Sequence, residues 1–98
     1  MIVELTFEAE RDIEEIADYI ARDKPQRALS FVEELRAKCL DLVHAPHGYP
    51  LVPRYESHGV RRRIHGAYLI FFQVKEDKVI VLHVLHGAMD YAAVLFPE

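Results

Sequence analysis

The chain reads as a single α+β domain of order β-α-α-β-β-β, with a helical hairpin packed on one face of an antiparallel sheet. Three observations predict it. Two stretches with apolar residues at three- and four-residue spacing fill the N-terminal half. Three β-rich runs separated by two-residue turns fill the C-terminal half. A length of 98 residues leaves room for one core only, so the domain spans 1–98.

The elements follow in chain order. Residues 2–5 read as a short strand, with Thr6 placed to cap the helix that follows. Over 7–22, Ala9, Ile13, Ile16, Ala17 and Ile20 draw one apolar stripe, and Glu8, Glu10 and Asp12 complement the positive end of the helix dipole. Pro25 suits the first turn of a new helix and would break the interior of an old one. That second helix carries Ala28, Phe31, Val32, Leu35, Cys39 and Leu42 on one face and stops before Pro46. The short turn between them makes an antiparallel hairpin whose outer face is mostly acidic. Residues 46–59, with three prolines and two glycines, read as an irregular loop. Strands are expected at 60–65, 68–75 and 78–86, joined by Gly66-Ala67 and Glu76-Asp77 as an antiparallel meander. The tail from Gly87 reads as a short helix or an ordered arm.

Alternation makes both sheet faces apolar. Tyr68, Ile70, Phe72 and Val74 take one face and Leu69 and Phe71 the other. On the last strand Val79, Val81 and Leu85 oppose Ile80, Leu82 and Val84. The hairpin covers one face only. The second is shielded by the loop and the tail or, on the sharper reading, stays open for a protein partner.

Composition narrows the function classes. A net charge of −4 argues against a general nucleic-acid binder. The lone Cys39 forms no internal disulfide and suits a reducing cytoplasm. No apolar run approaches the roughly 18 residues of a membrane span, and the N-terminus lacks the basic region of a signal peptide, so no membrane partner is expected. His83 and His86 differ by three on a strand, and His44 and His47 have no carboxylate or thiol beside them. No metal or other cofactor is therefore expected. No phosphate loop, nucleophile motif or zinc motif is present, and no catalytic residue is assigned. What remains is a positive patch of Arg54, Arg61, Arg62 and Arg63. It reads either as a solvated strand edge that discourages aggregation or as an anchor for acidic segments or RNA phosphates.

Three segments then resemble the RelE/ParE superfamily of toxins from bacterial toxin–antitoxin pairs, the ParE branch in particular. They are the run from Phe7 to Ile20, the stretch from Arg63 through Tyr68-Leu69-Ile70-Phe71-Phe72, and the closing Val84-Leu85-His86-Gly87-Ala88-Met89-Asp90. The resemblance implies the same β-α-α-β-β-β fold and a type II toxin. Such a toxin is neutralised by a cognate ParD-type antitoxin, touches operator DNA only through that antitoxin, and poisons DNA gyrase without being an enzyme. It places antitoxin contacts at Arg54, Arg61, Arg63, Leu69, Phe71, Val79 and Val81, and residues related to target or toxicity at His86, Met89, Asp90 and Tyr91. RelE-like relatives instead cut messenger RNA. That alternative would draft Arg61, Arg63, His65, His86 and Tyr91, and it is disfavoured by the apolar strand residues and by Met89, which stands where both branches commonly carry an arginine. The third reading is an interaction module with lost or weakened toxicity.

Overall fold

The computed structural model describes residues 1–98. Its elements are β1 (Ile2–Leu5), α1 (Phe7–Ala21), α2 (Pro25–Asp41), β2 (Arg61–His65), β3 (Tyr68–Lys75), β4 (Lys78–His86) and α3 (Tyr91–Leu95), with single 3-10 turns at Leu42–His44, Pro46–Gly48 and Glu56–His58. The expected order is present. The sheet runs β1-β4-β3-β2. Strands β2, β3 and β4 form the antiparallel meander, and β1 adds to β4 in parallel, so the sheet is mixed.

Thr6 shows how local chemistry sets the layer packing. Its hydroxyl oxygen accepts the Ala9 N–H at 3.0 Å, capping α1, and its hydroxyl donates to the Leu82 carbonyl at 2.8 Å. One side chain thus ends β1, starts α1 and pins both to β4. The α1 stripe buries Ala9, Ile13 and Ile16, and α2 buries Ala28, Phe31, Leu35 and Cys39. These meet Ile70, Phe72, Val79, Val81 and Val84 in the main core. Burial in that layer pushes the Cys39 thiol up to about 11, so it packs as a small apolar group.

Strand β4 departs from simple alternation. Phe71 pairs with His83 but Phe72 pairs with Val81, which leaves Leu82 as the extra residue of a bulge. The bulge inverts side-chain parity partway along the strand. Val79 and Val81, which alternation grouped with Leu85, instead join Val84 on the helix side; Leu82 and Leu85 face the other way. Beside the bulge Asp12 of α1 accepts the Val84 N–H at 2.9 Å and the Nδ1–H of His83 at 2.8 Å, tying helix to strand.

The second face is also closed, and the expectation of an open apolar surface is corrected here. Residues 50–52 run back along the outer edge of β2: Val52 N–H donates to the Val60 carbonyl at 2.9 Å and Arg62 N–H to the Pro50 carbonyl at 3.0 Å. This seats Val52 and Tyr55 over Val60, Leu69, Phe71 and Leu85, and Tyr91 and Leu95 of α3 with the following Phe96 complete the cover. The Tyr55 and Phe96 rings stack 4.4 Å apart, locking loop to tail. Phe71 has no exposed surface.

Candidate functional site

The three consecutive arginines of β2 are fastened to the chain itself. Arg61 donates to the Tyr49 carbonyl at 2.7 Å and the His47 carbonyl at 3.3 Å, holding the loop after α2. Arg63 donates to the Lys38 carbonyl at 3.0 Å and pairs with Asp41 at 2.9 Å. It thereby satisfies an orphan carbonyl at the C-terminal, negative end of α2, and it also lies over the Tyr49 ring. On the opposite face Arg62 donates to the Tyr91 hydroxyl at 3.1 Å and steadies α3. The alternation of the arginines is as the sequence implies. Their work is internal: most of the charge that suggested an anchor for a partner is spent as clamps on loop, helix and tail.

The other residues assigned to an antitoxin surface fare differently. Phe71, Val79 and Val81 have no exposed surface, and Leu69 is buried under the loop. A partner would reach them only by displacing the chain's own cover. Arg54 lies apart from Arg61 and Arg63, on the loop, with a left-handed backbone at φ 73°.

Arg54 instead meets the closing motif. A cleft of about 430 Å³ is lined by Val52, Pro53, Arg54 and Tyr55 from the loop and by Met89, Asp90, Tyr91 and Ala92 from the tail. Met89 is 41% exposed. The turn that presents it is built from backbone contacts: Gly87 N–H donates to the Ala67 carbonyl at 2.8 Å, and Met89 N–H to the His86 carbonyl at 3.2 Å. A Cβ at Gly87 would sit 3.4 Å from that Ala67 oxygen, an ordinary van der Waals contact. His86 Nδ1 accepts the Ala88 N–H at 3.0 Å, and its ring packs edge-on to Tyr68. His86 lines a neighbouring depression with Asp12, Glu15, Tyr19 and Tyr68, into which Met89 also reaches.

Three of the four closing-motif residues therefore share one cleft with Arg54, and Met89 links it to His86. Sequence reasoning missed Tyr55 and Pro53, whose loop carries no periodicity, and missed Arg62 as the support beneath Tyr91. The groups that a ribonuclease would need do not converge. Arg61 and Arg63 point to the hairpin side of β2, whereas Tyr91 lies against Phe71 on the other face, with ring centroids 5.0 Å apart. No cluster of three His, Cys, Asp or Glu residues could hold a metal ion.

A family model described as "ParE toxin of type II toxin-antitoxin system, parDE" matches residues 3–91. The chain belongs to the ParE toxin family. Among solved structures, a chain of the chromosomal ParDE TA system from P. aeruginosa superposes with a TM-score of 0.75 at 22% identity, over 88% of this chain and 95% of that one. No curated protein matches. The fold of that structure and of this ParE-family chain is the same, and the family match takes in α1, α2, the sheet from Val3 onward and the closing motif as far as Tyr91.

Proposed function

We propose that this ParE-family chain is a non-enzymatic toxin of the cytoplasm that poisons DNA gyrase and is silenced by a cognate ParD-type antitoxin. One observation carries the reading. The family match spans a fold whose exposed, chemically mixed surface near the closing motif is a cleft without an assembled set of catalytic groups. Poisoning a large enzyme needs a surface that binds it, not a nucleophile and base. The cleft offers a cation, a carboxylate, two phenols and a thioether in one place, the mixture found at protein contact sites. In this reading Arg54 supplies the positive charge beside Met89 from a different loop.

Induced expression tests it in the cell. Growth should stop, plasmid should lose negative supercoils, and co-expression of the antitoxin encoded beside the gene should restore both. A Met89→Arg version serves as the comparison for strength. Growth arrest with normal plasmid topology and cleaved messages would replace this reading with ribonuclease action, and unimpeded growth would leave an interaction module.

A further inference from the structure

The loop that crosses the second sheet face turns sharply between Val52 and Tyr55. The Tyr55 N–H donates to the Val52 carbonyl at 3.1 Å, Pro53 holds the first central position, and Arg54 holds the second at φ 73°. A proline followed by a positive φ is the pattern of a type II turn, whose second central position calls for glycine or asparagine. An arginine there carries a steric cost that glycine avoids. The turn gains nothing from the side chain, because its closing bond joins backbone groups. Strain of this kind collects at functional sites, where the strained residue serves a purpose.

Arg54 is also the arginine that the fold does not use. Of the other seven, four pair with carboxylates, two donate to a carbonyl and a hydroxyl, and one lies over a tyrosine ring. Arg54 has no such partner and stands exposed on the loop wall of the Met89 cleft. Asp90, on the tail wall, enters no ion pair either, so the two charges do not neutralise each other. Tyr91 adds a directed donor to the same cleft. Its hydroxyl oxygen receives Arg62 at 3.1 Å, which leaves its own proton for an acceptor.

From these observations we infer that Arg54 is the residue by which the cleft selects its target, gripping a carboxylate side chain on the surface of gyrase. This rests on the proposed action on gyrase and names the residue and the chemistry of that contact. A guanidinium presents two parallel N–H groups to a carboxylate, and the Tyr91 hydroxyl donates to the same anion from the tail wall. Asp90 and the net charge of −4 oppose a phosphodiester in that place, so the partner is protein and not DNA. The left-handed turn aims the charge, and stability and activity are set against each other at one position.

The test is inhibition of gyrase supercoiling by the full chain, read beside thermal melts of each variant. Arg54→Gly should melt higher than the unsubstituted chain yet need about tenfold more protein for half-inhibition. Arg54→Lys keeps both charge and strain, and should inhibit within about fivefold of the unsubstituted chain. Glu76→Gly relieves the same kind of strain, at φ 56°, outside the cleft lining. It should also melt higher, and inhibit within about twofold. A residue that merely held the loop would lose stability and activity together. Added salt should weaken inhibition by the unsubstituted chain more than inhibition by Arg54→Gly. An Arg54→Gly chain that inhibits as well as the unsubstituted one overturns the inference while leaving the action on gyrase intact. An unsubstituted chain without effect on gyrase overturns that action, and the inference with it. Direct binding of the chain alone to a DNA duplex, abolished in Arg54→Gly, would assign the cleft to phosphate and overturn the inference equally.

Discussion

His65 is the buried polar residue of the core, and both its ring nitrogens lack a hydrogen-bond partner. Its Nε2 lies 3.5 Å from Glu34 Oε1, but that carboxylate already takes two bonds from Arg27, at 2.7 and 3.3 Å. The ring sits against Phe31 at 4.7 Å. Burial, followed by the charge of Lys38, lowers its pKa below the ordinary 6.5. The unfolded chain therefore binds a proton first as pH falls, and the folded state loses stability from about pH 6.5 down to the folded pKa. Denaturant midpoints at pH 8 and pH 5 should show this loss, and His65→Leu should reduce it; an unchanged difference would mean other groups carry it. Glu34, whose own pKa is lowered by the Arg27 hydrogen bond, acts in a window below 4.5 and leaves this comparison clear. Glu76 offers a gain instead. It opens the two-residue turn between β3 and β4 at φ 56°, a conformation costly for a side chain bearing Cβ. Glu76→Gly should stabilise the fold by about 0.5–1 kcal/mol in urea melts. A loss of stability would show that the glutamate side chain matters more than the backbone strain.

At the scale of elements, the loop of residues 46–59 and helix α3 act together as a second layer over the sheet. Phe71 is the residue that reports on it. Because it is wholly buried, Phe71→Ala should cost about 3–5 kcal/mol of stability, read as a shift in denaturant midpoint. A mild stability loss with a large drop in partner affinity would instead mean that the cover opens readily. The helices, the meander and both tight turns were legible from periodicity and turn residues. The bulge at Leu82 was not. A strand apolar on both faces, from Val79 to Leu85, carries no polar mark to reveal where parity changes. Nor was the path of the loop, because Val52 and Tyr55 are placed by contacts with Leu69 and Phe96 that are distant in sequence. For the candidate site, the closing motif was legible as a segment. Its companion Arg54 was assigned to the wrong neighbours, since a loop residue's position follows from the fold and not from spacing.

The whole molecule carries two uneven surfaces. The hairpin side is acidic and holds the apolar groove between α1 and α2; the far side is closed by loop and tail, with the Arg54–Met89 cleft at their junction. A supercoiling and cleavage assay with purified chain and gyrase from the same host tests gyrase poisoning most directly. The expected result is inhibited supercoiling, accumulation of gyrase-linked cleaved DNA, and relief by the antitoxin. Gyrase that supercoils normally and leaves DNA intact, with the Met89→Arg chain equally inert, would contradict it.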